Sequence, residues 1–236
     1  MQNFFTFPEC FIDGMVRLTG EEYHHAARVC RVRVGEMIGV ADGRGRRVEA
    51  RIETITGSYL EARATRDVSG RGEPSREITL ALSLIKPARF EIAVEKCTEF
   101  GVRRFIPLAV QRCEYSPARF NSVRLARIAL EAAKQSGRSW LPDIAPVSGI
   151  EVLSRPGHAL LVASQKAQES LEDVLSHVTA DKLILAVGPE GDFTPEEIAS
   201  LGAQGALFFS LGGLTLRAET AAIAAVALCG VNKKNV

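Results

Sequence analysis

The 236-residue sequence contains no apolar run long enough to cross a bilayer, which argues against a membrane-spanning protein. Its opening, MQNFFTFPEC, lacks the basic segment followed by a long apolar one that marks a secretory leader, so export is not expected. Five cysteines, Cys10, Cys30, Cys97, Cys113 and Cys229, are odd in number, scattered and never spaced C-x-x-C. That pattern offers neither a disulfide framework nor zinc-site spacing, and a reducing cytoplasm is the expected home. There is no G-x-x-x-x-G-K-[ST] phosphate loop, no G-x-G-x-x-G and no metal-binding cluster, which weakens nucleotide hydrolase and dehydrogenase readings. Nor is there an internal repeat. Net charge is close to absent, at +1, and speaks for nucleic acid only once it is resolved along the chain.

Resolved in that way, the charge is uneven. Residues 28–47 contain Arg28, Arg31, Arg33, Arg44, Arg46 and Arg47 against Glu36 and Asp42, while the last quarter is acidic. Arginine grips phosphate bidentately and stacks on bases, so the basic window is a candidate RNA contact; a merely solvated surface explains the charge equally well.

The most informative stretch runs from Lys182 to Gly230. It reads as a buried strand, the loop Gly188-Pro189-Glu190-Gly191-Asp192, a helix, a second buried strand over Ala206–Phe209, the loop Gly212-Gly213, and an alanine-rich helix from Glu219. Short continuous apolar runs followed at once by glycine suit parallel strands covered on both faces, so both loops leave carboxyl ends of strands, where ligands bind in open α/β sheets. Thr194, Pro195 and Glu197 form a capping box with proline at the first helical position. Arg217 and Glu219 stand as a charged pair where the last helix begins.

The rest of the chain divides at Asp67–Ser75, a linker with two glycines and a proline. Residues 1–70 read as a small barrel of short strands over 36–41, 47–55 and 59–65, with one helix started by the capping box Thr19-Gly20-Glu21-Glu22. Neighbouring His24 and His25 point in different directions on that helix and make a poor metal pair. Residues 74–236 alternate strand and helix: strands over 78–84, 105–110 and 159–163, helices from Pro87 to Gly101, Arg119 to Ser136 and Leu171 to His177. Alternation implies a parallel sheet with helices on both faces.

GPEGDFTPEEI followed by SLGGLTLRAETAAIAAVAL resembles the signature of SPOUT-class RNA methyltransferases, and within them the RsmE family. EKCTEFGV (95–102), EAAKQSGR (131–138) and HHAARVCRVRVGE (24–36) are similar to further family stretches. The resemblance implies a PUA-like β-barrel before an α/β domain with a trefoil knot, and methylation of N3 of a uridine in 16S ribosomal RNA. It also implies S-adenosylmethionine as cofactor with no metal, a homodimer, and RNA within the small ribosomal subunit as partner. Carried over residue by residue, it assigns cofactor binding to Val187, Gly188, Pro189, Glu190, Gly191, Leu211, Gly212, Leu216 and Thr220. Arg217 and Glu219 become the catalytic pair. Arg28, Arg31, Arg33, Gln135 and Arg138 become RNA contacts, while Glu95, Lys96 and Glu99 read as a solvated helix face. Leu214 stands where the family commonly has an arginine. Two other readings stay open: a noncatalytic RNA-binding protein that keeps the knot, and a metabolite enzyme that uses the glycine loops for a phosphate.

Overall fold

The computed structural model describes residues 1–113 and 115–230. Lys233 and Lys234, counted in the charge of the last quarter, lie outside them. The chain forms two compact units, Met1–Glu73 with Leu130–Leu141, and Pro74–Ala129 with Pro142 onward. The division at 73/74 falls within the expected linker, but the second unit is not the uninterrupted stretch 74–236.

The first unit contains β1 (Gln2–Phe5), β2 (Phe11–Ile12), β3 (Met15–Thr19), α1 (Gly20–His24), β4 (Met37–Ala41), β5 (Arg47–Ile55) and β6 (Tyr59–Asp67). They make one six-stranded sheet in the order β1-β4-β5-β6-β3-β2, antiparallel except for β1 against β4. The sheet curls in the manner of a small barrel, since Thr6 Oγ1 beyond β1 donates to the carbonyl of Arg17 in β3 at 3.1 Å. Alternate residues fill its interior, among them Phe4, Leu18, Ile38, Ile52 and Leu60. Each such burial stabilises by roughly 1.5–3 kcal/mol.

Residues 130–141 belong here for identifiable reasons. Ala133 packs on Phe5 and Ala41, Asn3 Nδ2 donates to the Lys134 carbonyl at 2.9 Å, and the Leu141 amide donates to the Gly43 carbonyl at 3.1 Å. Lys134 is buried and pairs with Glu22 at 2.5 Å. That pair overturns the expected capping box at Thr19. Thr19 has extended N-cap angles but makes no side-chain cap bond, and the Glu22 carboxylate that would complete the box serves Lys134 and the Phe5 amide instead.

The second unit contains β7 (Glu77–Ser83), α2 (Pro87–Glu99), β8 (Arg104–Leu108), the first part of α3 (Ser122–Ser136), β9 (Asp143–Ile144), β10 (His158–Ala163), α4 (Leu171–His177), β11 (Lys182–Val187), α5 (Pro195–Ala203), β12 (Leu207–Phe209) and α6 (Ala218–Gly230). Its sheet is wholly parallel, in the order β12-β10-β11-β7-β8-β9. Side chains of β7 and β11 alternate between two cores. Ile78, Leu80, Leu82, Leu183, Leu185 and Val187 meet α2, α4 and α6 on one face, while Ala81, Ile184 and Ala186 meet Phe193 and Leu201 near α5 on the other.

Three expectations change in this unit. The third helix begins at Ser122 rather than Arg119, because Asn121 Oδ1 accepts the Arg124 amide at 3.0 Å and caps it there. β12 is not covered on both faces: it is an edge strand paired only with β10, and Leu207 is 43% exposed. β9 was not anticipated, being two residues long. From the β12 edge the chain returns through α6 to lie over β7 and β11.

Candidate active site

Local chemistry shapes the carboxyl edge of the parallel sheet. After β11 the chain enters Gly188–Asp192 and then α5, whose capping box is complete: Thr194 Oγ1 accepts the Glu197 amide at 3.2 Å and Glu197 Oε2 accepts the Thr194 amide at 2.9 Å. After β12 it passes Ser210–Arg217 before α6 starts. Gly212, at φ +110°, lies in the left-handed region that other residues seldom enter, and a Cβ there would meet nothing within 4 Å. At Gly188 a Cβ would stand 3.1 Å from the Phe193 ring.

These two loops and the loop leaving β10 line one cleft. Of the residues assigned to the cofactor, Val187, Gly188, Pro189, Glu190, Leu211, Gly212 and Leu216 line it. Gly191 and Thr220 do not. The carbonyl of Gly191 accepts a bond from Arg112 Nη1 at 2.5 Å, which turns that residue toward the loop after β8. Thr220 is exposed, because Ala218 and Ala221, three residues apart on α6, present the helix face that borders the cleft. The sequence reading missed Ala163, Ser164 and Gln165. Their signal was available, since Ala163 ends a buried strand whose following loop must also reach this edge.

Arg217 and Glu219 do not form the expected pair. Arg217 is exposed, and among the described residues its guanidinium joins no ion pair. Glu219 is buried, and its Oε1 lies 3.6 Å from Arg89 Nε. Arg89 also pairs through Nη1 with Glu190 of the first glycine loop. The physical reason lies in where α6 begins: Glu219, in its first turn, is buried near Arg89 of α2, while Arg217 still belongs to the loop. Arg89 was overlooked. A basic residue in the first turn of α2, where the helix dipole disfavours a cation, was the clue that a carboxylate partner was required.

In the first unit Arg28, Arg31 and Arg33 are all exposed. Arg28 lies in a π-helical turn at His25–Val29, and beyond it Arg31 takes φ +54°. Arg46 lies 4.6 Å over the Phe11 ring and Arg47 bonds Asn3 Oδ1 at 3.0 Å, so part of the basic window serves the fold. Gln135 is exposed. Arg138 is not available as an RNA contact: its side chain is 5% exposed and pairs with Glu73, 10% exposed, at 2.8 Å. On α2, Lys96 pairs with Glu95 at 2.7 Å and Glu99 at 3.0 Å, forming a helix-surface network. Among the described residues no group of histidine, cysteine or acidic side chains is arranged to hold a metal.

Comparison with known proteins defines the class first. The RNA methyltransferase domain family matches residues 72–230 and the RNA methyltransferase PUA domain matches residues 18–64. A PUA-like unit together with an all-parallel α/β unit of SPOUT type in one chain is thus the composition of a two-domain RNA methyltransferase. A ribosomal RNA small subunit methyltransferase E from Synechocystis is 35% identical over 232 residues, covering 93% of this chain and 74% of that protein. One from Mycobacterium bovis is 36% identical over 229 residues, covering 90% and 84%. The crystal structure of the Neisseria gonorrhoeae protein bound to S-adenosyl methionine superposes with a TM-score of 0.85 at 29% identity, covering 97% of this chain and 96% of that one. The chain belongs to the ribosomal RNA small subunit methyltransferase E family.

Proposed function

We propose that this chain transfers the methyl group of S-adenosylmethionine to N3 of a uridine in 16S ribosomal RNA. In this reading it acts in the cytoplasm as a homodimer on RNA of the small subunit. The observation that carries the reading is the convergence of three strand-end loops on one cleft of the parallel sheet.

The residues present fit the cofactor. Glycine at 188 and 212 lets a flat adenosine approach backbone amides and carbonyls, and Val187, Pro189, Leu211 and Leu216 supply apolar walls. Bound there, S-adenosylmethionine supplies a methyl group made electrophilic by its sulfonium. The chain contributes positioning, which is most of what a displacement requires. Glu190 places a carboxylate on the cleft wall, favourable toward a cation. Arg89 fixes that carboxylate relative to Glu219.

Uracil N3 carries a proton that must leave before or during methylation, so negative charge develops on the base. Arg217, exposed between the cleft-lining Leu216 and Ala218 and without an ion pair among the described residues, is the group proposed to meet that charge. Glu219 acts through Arg89 and so orients the first-loop carboxylate rather than Arg217. Because N3 lies on the Watson–Crick edge, the base must leave its stack, while the exposed Arg28, Arg31, Arg33 and Gln135 of the first unit are proposed to contact RNA phosphates.

Single-turnover methylation at saturating cofactor and small-subunit RNA, with the product mapped by mass, tests the proposal. The expected product is a single methyluridine, formed more slowly by Arg217→Ala. A wild-type rate from folded Arg217→Ala removes that residue from the mechanism. Cofactor binding by the wild-type protein without methyl transfer would overturn the catalytic reading in favour of a noncatalytic RNA binder.

A further inference from the structure

A second cavity, of about 250 Å³, opens in the same unit. Its walls are the end of β7 (Leu84, Ile85), the first turn of α2 (Pro87, Phe90, Glu91), the loop after β8 (Tyr115, Arg119, Phe120) and the start of α3 (Asn121, Arg124). Those elements follow β7 and β8, so the cavity lies on the same carboxyl edge as the cofactor cleft. The first turn of α2 is common to both: Phe90 and Glu91 face the cavity, while neighbouring Arg89 pairs with Glu190 of the cleft.

We infer that this cavity seats the flipped-out uracil of the RNA substrate, an assignment that rests on the methyltransferase reading above. Its volume of about 250 Å³ leaves room for one nucleobase. Phe90 and Phe120 meet edge to face at 5.8 Å between centroids and stiffen an aromatic wall, and Tyr115 adds a second ring for a base to stack on. The polar groups match uracil. Asn121 spends Oδ1 on capping α3, at 3.0 Å from the Arg124 amide, which leaves its amide NH2 to donate to a carbonyl. Arg119, exposed at the rim, offers a cation to the other carbonyl or to the adjoining phosphate. Glu91 is occupied by Arg124, through Nη2 at 2.8 Å, so the pair brings no unpaired carboxylate to repel RNA.

Asn121→Asp separates the roles, because aspartate caps a helix as well as asparagine but has no NH2 to donate. Uridine 5′-monophosphate and, separately, S-adenosylmethionine are titrated into the full-length protein and followed by NMR. The nucleotide is expected to shift Tyr115, Phe120 and Asn121 resonances, and cytidine 5′-monophosphate to shift them less. Asn121→Asp and Phe120→Ala should each weaken the nucleotide by roughly tenfold or more while leaving cofactor affinity unchanged. Shifts confined to other residues, or equal affinity in the folded Asn121→Asp protein, overturn the cavity assignment. Absence of cofactor binding by the wild-type protein would instead overturn the methyltransferase reading.

Discussion

Arg89 reaches two carboxylates that the chain places far apart, Glu190 through Nη1 and Glu219 through Nε at 3.6 Å. One side chain on α2 thereby ties the first glycine loop to the opening turn of α6. Among the described residues Glu219 Oε2 is buried without a hydrogen-bond partner, and Arg89 is the counter-charge at this site. Removing Arg89 would leave a buried, uncompensated carboxylate, a cost of roughly 3–5 kcal/mol for fully buried pairs that partial exposure of Arg89 here reduces. We expect Arg89→Ala to lower the melting temperature and to weaken S-adenosylmethionine binding about tenfold. Arg89→Lys should restore neither fully, since a single ammonium cannot serve both carboxylates as a guanidinium does. Calorimetric titration beside thermal unfolding checks both effects.

The glycine loops answer to different physics. Gly188→Val would press on the Phe193 ring, already 3.1 Å from the position of a Cβ, and would also crowd the cleft wall. Gly212→Val has open space but forces a β-branched residue to φ +110°, at a cost of order 1–3 kcal/mol. Both variants should lose cofactor affinity by more than tenfold while far-ultraviolet circular dichroism keeps the wild-type signature. Retained affinity in both would displace the cofactor from this cleft.

Replacing Arg28, Arg31 and Arg33 together by alanine removes three exposed cations that form no ion pair among the described residues. RNA affinity should fall, and the slope of log K against log salt should flatten by roughly two to three, each lost phosphate contact contributing about 0.7–0.9. Filter binding between 50 and 200 mM salt, as an order-of-magnitude range, is enough to read the slope.

Arg138→Ala is expected to act on stability rather than recognition. It strands Glu73, whose Oε1 also accepts the Ser139 amide at 2.9 Å, in a site where the carboxylate is 10% exposed. A loss of about 3 kcal/mol is expected from breaking such a pair. Denaturant unfolding measures it, and an unchanged salt slope of RNA binding in the folded fraction confirms that Arg138 is no phosphate ligand.

Cysteine reactivity should divide by burial. Burial pushes the Cys229 thiol up to about 12, and Cys97, wholly buried, higher still. Since the thiolate is the nucleophile, wholly buried Cys97 stays protonated and unreactive at pH 8 and Cys229, partly exposed but with its thiol pushed up, reacts slowly, whereas partly exposed Cys10 and Cys113 should alkylate faster. Mass spectrometry after timed iodoacetamide treatment reads the order. Rapid modification of Cys97 in native protein would contradict the packed interface of α2 with the sheet.

Local chemistry determines much of this protein within short stretches of its sequence. Thr194, Pro195 and Glu197 dictate the start of α5 because a capping box closes within four residues, and β11 is legible because its apolar run is bounded by glycine. The convergence of glycine loops on one ligand edge was readable for the same reason: parallel strands place all their following loops together, and that brought seven of the nine assigned cofactor residues to one cleft. The family signature supplied the knot, the chemistry and the roles, none of which periodicity carries. Only tertiary structure decided the partners of charged groups. Glu22 has the spacing of a cap yet serves Lys134, Glu219 follows Arg217 yet pairs with Arg89, and Arg138 ends a helix near the expected RNA yet is buried against Glu73. Those pairings join residues that lie 65 to 130 positions apart in the sequence. A carboxylate leaving water must find a cation within about 4 Å, and which cation stands there is set by how helices and strands pack, not by neighbours along the chain.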